Sequence, residues 1–270
     1  MTHSRPTVRE LLTSRGLAPR RDLGQNFVAD PNTVRRIAHL ARVRPGDSVV
    51  EIGAGLGSLT LALAETGARV TAVEVDRGLA AVLREVVAAV PDVTVVEADA
   101  MTLDWDALLG DASSWVLVAN LPYNVATPLV TDLLDHVPAI ERMLVMVQRE
   151  VGERLAAGPG SSAYGAVSVK VAYWAAARTV GLVPAAVFMP KPNVESALVE
   201  IVRRDPPDVS PDALFPLVRT AFGQRRKMLR RSLAGVVESS AFDAAGVPET
   251  ARPEDLSLGE WVRLAKVVNG

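Results

Sequence analysis

The chain contains no cysteine, so neither a disulfide framework nor a thiolate metal site can organise it, and its redox compartment is left open. Histidine is scarce too: His3, His39 and His136 are the only three and none falls in a motif, so a histidine base is not indicated and no metal is expected. The arginine-rich N-terminus lacks an apolar run of signal-peptide type, which argues against export. The longest uncharged stretch, Ala112 to Thr131, is long enough to span a bilayer, but Asn120, Pro122, Asn124 and Pro128 interrupt it. The expectation is a soluble cytoplasmic protein with no membrane contact, and nothing in the sequence demands more than a monomer.

What is present is a chain of 270 residues with 49% apolar content, enough to bury one large core and a smaller one. A net charge of −2 argues weakly against nucleic-acid binding, yet the charge is unevenly placed. Residues 1 to 44 hold nine arginines against Glu10, Asp22 and Asp30, a local balance of +6. A second basic cluster, Arg225, Arg226, Lys227, Arg230 and Arg231, lies in a stretch without acids from Ala213 to Val237. Taken alone, each cluster is either a solvated helix face or a contact for RNA.

Strand and helix signals alternate along the first half. Ser48 to Ile52 is a β-rich run after the turn Pro45-Gly46-Asp47, and Ser58 to Glu65 has helical apolar spacing ended by Gly67. Arg69 to Val75 predicts a second strand, with a helix from Arg77 to about Ala89 that stops before Pro91. Val93 to Ala98, Trp115 to Ala119 and Met143 to Val147 predict three more strands. Nearly continuous valine runs separated by helix-length segments imply a mostly parallel sheet covered on both faces, a doubly wound α/β domain. Beyond Gly158 to Ser162, expected to be a mobile loop, Ala163 to Ala177 has helical character, and β-like runs follow near Thr179 to Val183 and Glu195 to Arg203. Asp205-Pro206-Pro207-Asp208 then breaks the pattern, and the rest is helical in period, with a capping box at Ser257 and Glu260. The domain boundary is expected near Pro206, giving domains 1–205 and 206–270.

In a doubly wound sheet ligands bind outside the carboxyl ends of the strands, so the residues there carry the chemistry. Gly53, Gly55 and Gly57 follow the first strand, where missing side chains let the backbone turn sharply and approach a ligand. Position 58 is serine, so the strict dinucleotide fingerprint G-x-G-x-x-G is not met, and a plain tight turn remains open. Glu74 ends the second strand roughly twenty residues after the first glycine, the spacing at which a carboxylate accepts hydrogen bonds from ribose hydroxyls. Asp99 ends the third and can accept from an adenine amino group. Gly, Glu and Asp in that order suggest an adenosine-containing cofactor, and S-adenosylmethionine fits better than NAD. Asn120-Leu121-Pro122-Tyr123 follows the fourth strand. An aromatic amine is a poor nucleophile because its lone pair is delocalised into the ring. The Asn120 side-chain oxygen and the Leu121 carbonyl offer acceptors for its two N–H bonds, Pro122 stiffens the turn, and Tyr123 offers a stacking face. A β-turn with tyrosine in the core is the alternative for this tetrapeptide alone.

With these residues in place the sequence resembles the small-subunit ribosomal RNA adenine N6,N6-dimethyltransferase family, over nearly its whole length. The likeness is carried by Leu23-Gly24-Gln25-Asn26-Phe27, Glu51-Ile52-Gly53-Ala54-Gly55-Leu56-Gly57, Val73-Glu74-Val75-Asp76, Asn120-Leu121-Pro122-Tyr123-Asn124 and Gln148-Arg149-Glu150-Val151. It continues through Phe188-Met189-Pro190-Lys191-Pro192-Asn193-Val194-Glu195-Ser196 and Phe222-Gly223-Gln224-Arg225-Arg226-Lys227. Departures are mild: Val28 stands where leucine is common and Ala54 where proline is common.

The resemblance implies a class I, Rossmann-like methyltransferase fold with a small all-helical C-terminal domain that binds rRNA, and an N-terminal segment that covers cofactor and RNA. It implies S-adenosylmethionine as donor and dimethylation of two adjacent adenosines near the 3′ end of small-subunit (16S) rRNA in the pre-mature small subunit, during ribosome biogenesis. By position, Asn26 and Val28 would cover the cofactor, Gly53 and Gly55 approach its methionine part, Glu74 its ribose and Asp99 its adenine. Asn120 would touch cofactor and target amine, and Phe188 would face Tyr123 across a flipped base. Transfer would be a direct in-line displacement without a covalent enzyme intermediate. Two alternatives stay open: a large-subunit rRNA adenine methyltransferase of the antibiotic-resistance type, disfavoured by Leu121 and by Phe222 to Lys227, and an assembly checkpoint factor with secondary catalysis. A nicotinamide oxidoreductase would leave Asp99 and Asn120 to Tyr123 without a task.

Overall fold

Five short valine-rich runs, most of them closed off from water on both faces, set the architecture, because a strand apolar on both sides must lie inside a sheet with helices above and below. The computed structural model describes residues 2–270 except Arg21, Asp22, Asp111, Ser113, Tyr123 and Asn124. In chain order the elements are α1 (Arg5–Ser14), β1 (Phe27–Val28), α2 (Pro31–Leu40), β2 (Ser48–Ile52), α3 (Ser58–Ala64), β3 (Arg69–Glu74), α4 (Arg77–Val86), β4 (Val93–Glu97), α5 (Trp105–Leu109), β5 (Trp115–Asn120), α6 (Ala126–His136), β6 (Ile140–Gln148), α7 (Arg149–Leu155), α8 (Ala166–Trp174), β7 (Ala175–Val183), β8 (Phe188–Met189), β9 (Ser196–Arg203), α9 (Pro211–Gly223), α10 (Leu229–Ser232), α11 (Ser239–Ala245) and α12 (Leu258–Asn269).

The strands of the large sheet run in the order β4-β3-β2-β5-β6-β9-β7. The first five are parallel to their neighbours, and β9 pairs antiparallel to β6. The order reverses between β2 and β5: the chain builds outward from β2 to β3 and β4, then returns to the other side of β2. That reversal leaves a crevice above the carboxyl ends of β2 and β5. The uncharged stretch 112–131 is divided between β5 and α6, and among the described residues no helix is long and apolar enough to cross a membrane.

The chain divides into two compact units, residues 1–152 with 179–202, and residues 153–178 with 203–270. The expected boundary near Pro206 therefore leaves out part of the second unit. The reason is packing: Tyr164, Val169 and Tyr173 share one core with Leu214, Phe215, Phe242 and Trp261. The Tyr164 and Tyr173 hydroxyls donate to the carbonyls of Leu256 (2.9 Å) and Val209 (2.7 Å). No composition shift marks residue 153, so sequence patterning passes over it. The segment Gly158 to Ser162, expected to be mobile, is held in place instead. Gly160 N–H donates to the Glu254 carbonyl at 2.9 Å, and Arg225 Nη2 donates to the Ser162 carbonyl at 2.7 Å. Ala175 to Ala177, helical by propensity, open β7, an instance of sheet pairing overriding alanine's local preference. The Ser257–Glu260 capping box forms as expected.

A two-stranded ribbon that no periodicity announces joins β1 to β8, with Phe27 opposite Met189 and Val28 opposite Phe188. This pairing turns Phe188 inward: its ring is 1% exposed and belongs to the core cluster of Val34, Ile37 and Leu198. In this packing the ring sits among aliphatic side chains, so the expected stacking of Phe188 on a base would need the ring to leave this core. Replacing Phe188 by Ala should cost about 3–5 kcal/mol of stability through the cavity it leaves, read as a fall in urea midpoint; an unchanged midpoint would instead restore the exposed, stacking role.

Candidate active site

The register of the central strands brings the two main motifs together. Ile52 lies opposite Ala119, so the residues that follow, Gly53 and Asn120, emerge side by side at the point where the strand order reverses. A Cβ built on Gly53 would lie 3.4 Å from the Asn120 carbonyl oxygen, and at φ +72° the position disfavours any other residue. A Cβ on Gly55, at φ +59°, would come within 3.2 Å of the Phe27 ring. The glycines thus let the turn after β2 pack closely against the end of β5 and against β1.

One buried carboxylate holds the turn in shape. Glu74, at the end of β3 and 5% exposed, accepts from Gly55 N–H at 2.7 Å and from Asp76 N–H at 2.9 Å. Burial pushes its pKa upward, opposed by the backbone N–H groups of Asp76, Gly55 and Val75. Both oxygens are engaged, and a carboxylate offers more acceptor sites than these bonds use.

Two connected hollows open here. The first is lined by Asn26, Val28, Gly53, Gly55, Glu74 and Asn120 and has a volume of about 110 Å³. The second, of about 150 Å³, is lined by Asp99, Val73, Ala100 and Met101 and shares Leu23, Gly53, Val75 and Pro122 with the first. All six residues expected to hold the adenosyl cofactor, and Asn120 with them, border this crevice. Asp99 Oδ1 accepts from Met101 N–H at 2.9 Å, and among the described residues no hydrogen bond reaches Oδ2.

Asn120, half-buried as the last residue of β5, donates from Nδ2 to the Asn26 carbonyl at 3.0 Å. Asn26 Nδ2 in turn donates to the Gly24 carbonyl at 3.0 Å. The tether engages the amide's donor end, and among the described residues no hydrogen bond reaches its acceptor, Oδ1. Leu121 is buried by its side chain, and its N–H donates to the Met146 carbonyl at 3.0 Å, which fixes the peptide that follows Asn120. Tyr123 lies outside the described residues, so its stacking role stays an expectation from sequence.

Three contributors carry no role in the motif reading. Glu51, on β2 and 1% exposed, lines the crevice and accepts from Thr60 Oγ1 at 2.6 Å. Its pKa is pushed up to about 8, first by burial and further by the neighbouring Glu74 charge. A lone acid inside the apolar run Ser48-Val49-Val50-Glu51-Ile52 was the available signal. Val8 of α1 closes one wall. His3, buried and with its pKa lowered by that burial, bonds through Nε2 to the Leu56 carbonyl in the glycine turn at 2.8 Å.

The basic cluster of the second unit is not uniform. Arg225 is half-buried, with Nε 2.5 Å from Glu254 Oε2, and Arg230 pairs with Glu249 at 3.3 Å. Arg226, Lys227 and Arg231 are exposed. Arg225 is thus largely committed to its own unit and Arg230 is paired, which leaves Arg226, Lys227 and Arg231 to face solvent.

A family model described as ribosomal RNA adenine dimethylase matches residues 16–270. The ribosomal RNA small subunit methyltransferase A of Streptomyces coelicolor is 50% identical over 272 residues, covering 96% of this chain and 94% of that protein. The protein of that name from Leifsonia xyli subsp. xyli is 49% identical over 274 residues, covering 96% and 95%. Among solved structures, the 23S rRNA methyltransferase ErmE superposes with a TM-score of 0.71 at 28% identity, covering 90% of this chain and 100% of that one. A dimethyladenosine transferase from Plasmodium falciparum shares the fold, with a TM-score of 0.76 at 22% identity over 87% of this chain and 94% of its own.

The state of Glu51 is testable through folding. Its pKa rises from an ordinary 4.5 to about 8 in the fold. Between those values the folded chain keeps a proton that the unfolded chain has released, so stability falls as pH rises through the window and levels off above it. The slope cannot exceed about 1.4 kcal/mol per pH unit. Glu51→Gln removes the ionisation, so its stability relative to the parent should climb across that window and then stay flat; urea unfolding at stepped pH, without cofactor, gives the difference, and a pH-independent difference would refute the buried protonated state.

Proposed function

The chain belongs to the ribosomal RNA adenine dimethylase family, and on that premise we propose that it methylates the N6 amines of two adjacent adenosines near the 3′ end of small-subunit rRNA, in the pre-mature small subunit. It is a methyltransferase of the class I fold, and S-adenosylmethionine is the donor such a fold uses. The observation that carries the finer reading is the tethered Asn120 amide, whose acceptor end borders the same crevice as the glycine turn, Glu74 and Asp99.

The crevice fits the donor. Gly53 and Gly55 line the hollow with bare backbone, Glu74 faces the ribose place, and Asp99 has an oxygen for the adenine amine. When bound, the donor supplies an electrophilic sulfonium methyl. The protein's task is then to present the nucleophile. Asn120 Oδ1 and the Leu121 carbonyl accept the two N6 hydrogens, drawing the nitrogen out of conjugation and freeing its lone pair along the line of attack. With the donor held by Asn26, Gly53, Gly55, Glu74 and Asp99, transfer would form one N–C bond, leave the C–S electron pair on sulfur and release one amine proton to water. Alignment alone is worth at most about 7–11 kcal/mol of barrier.

Bringing an adenine into the crevice requires its removal from any stack, at a cost of a few kcal/mol. Stacking on one aromatic ring returns roughly 1–3 kcal/mol. With Phe188 in the core, Tyr123 is the one aromatic left of the expected pair. The hydrogen bonds of Asn120 and Leu121 are accordingly assigned part of the cost of flipping as well as the activation of the amine.

The likeness to a 23S rRNA methyltransferase favours one second reading, adenine methylation on the large subunit. The small-subunit relatives are closer in sequence, at 49–50% identity. Mass spectrometry of adenosines from both rRNAs, in cells with and without the chain, separates the two: dimethyladenosine lost from the small-subunit rRNA supports the proposal, and loss confined to the large-subunit rRNA overturns it.

Asn120→Ala should leave cofactor affinity within about tenfold by titration while lowering single-turnover methyl transfer by at least ~10²-fold, the scale of removing one transition-state hydrogen bond; undiminished turnover refutes the role. Arg226→Gln with Lys227→Gln should weaken binding to small-subunit particles and reduce the logarithmic salt slope by about 0.7–0.9 for each phosphate no longer neutralised. An unchanged slope returns the cluster to an ordinary solvated face.

A further inference from the structure

We propose that a cleft at the amino ends of β2 and β5, walled by Arg42, Arg44, Arg69 and Arg142, is a second rRNA contact that takes backbone phosphates on the face opposite the methyl-transfer crevice. The proposal rests on the reading that this chain acts on rRNA.

The cleft is separate from the crevice. Ser48 and Trp115 line it, and they are the first residues of β2 and β5, paired to each other in register. Gly53 and Asn120 stand at the other ends of those strands, five residues along and about 16 Å away at roughly 3.3 Å per residue. The volume is about 720 Å³, far more than one small anion fills. Pockets for small molecules are mostly apolar; this one is lined chiefly by charged and polar side chains.

Among the described residues its charge is also unbalanced in the required sense. The four arginines face the carboxylates Asp47 and Glu141, and both of those are already engaged. Asp47 Oδ2 accepts from the Arg44 backbone N–H at 2.9 Å, and Glu141 Oε2 from Ser114 Oγ at 2.7 Å. Arg42 has Glu200 at 3.7 Å, while Arg44 and Arg69 are exposed, the latter donating to Ser48 Oγ at 3.1 Å. Arginine's planar fork matches phosphate oxygens bidentately. The cations come from three separate stretches of chain, a spread suited to successive phosphates along a strand.

Two further observations mark the place as built for a ligand. Arg42 holds φ +50°, a left-handed conformation uncommon for a bulky residue, and Arg142 Nη1 clamps the adjacent Ala41 carbonyl at 2.7 Å. Trp115, 8% exposed, lines the cleft, and its indole N–H has no acceptor among the described residues, whereas a buried tryptophan usually finds one. The cleft also accounts for part of the N-terminal arginine excess. Arg5 and Arg36 donate to the carbonyls of Ala186 and Leu182, and Arg15 and Arg20 pair with Glu85 and Asp76. Arg42 and Arg44 instead reach this surface.

The test combines charge removal with a direct probe. Arg44→Gln with Arg69→Gln should reduce the logarithmic salt slope of binding to unmethylated small-subunit particles by about 1.4–1.8, the equivalent of two phosphates, with cofactor affinity unchanged. The corresponding lysine pair should restore the slope. Because the chain has no cysteine, a hydroxyl-radical probe tethered through Ser114→Cys reports on this cleft alone and should cut rRNA in the bound particle. An unchanged slope, or no cutting while the particle is still methylated, overturns the second contact and leaves the functional reading intact. Failure of the parent chain to bind the particles would overturn both.

Discussion

The carboxylate of Glu74 is the constraint on which the crevice depends. It ends β3, yet it accepts from the backbone of the turn that follows β2, so the glycine loop and the neighbouring strand end are fixed as one piece. Once that loop is set, the crevice beside it is a consequence of where β2 and β5 meet, since Gly53 and Asn120 have no choice but to emerge together. Asn120 then needs only one tether, to Asn26, to present its acceptor. Burial works against Glu74 ionisation and the backbone donors work for it, a balance that leaves the acid able to accept further bonds at the crevice wall.

The first unit uses the two ends of its central strands differently. The carboxyl ends carry glycines, acceptors and buried acids, a set suited to a cofactor and an aromatic amine. The amino ends carry arginines around a wide polar cleft. The second unit is built on another plan, an aromatic and aliphatic core with Trp261 fully enclosed, whose exposed cations lie on and before the short helix α10. Arg225 shows how one cluster divides its labour: the guanidinium that holds Glu254 and the Ser162 carbonyl shapes the unit, and its neighbours remain on the surface.

Much of this was legible in the residues. The five parallel strands announced themselves through valine runs, and the residues after them carried glycine, acid or amide where a doubly wound sheet places its ligands. What escaped had no local signature. The β1–β8 ribbon is two residues a side, too short for any period, and the Phe188 ring that it carries lies in the core. The membership of residues 153–178 in the helical unit depends on tyrosines reaching carbonyls dozens of residues away, and Ala175 to Ala177 took the strand conformation their composition opposes. Glu51 stood in plain view inside an apolar strand, but a carboxyl's protonation state is set by the dielectric around it, which no neighbour in sequence reports.

By itself the sequence determined the class of fold, because hydrophobic period and residue type after each strand are local properties, and the order of its motifs carried the resemblance to a family. Only the tertiary structure decided which acids share the crevice, which aromatic is hidden, which arginines are already paired and which surround a cleft. Those are questions of distance and burial between residues far apart in the chain, and they are settled by how strands pair and side chains pack.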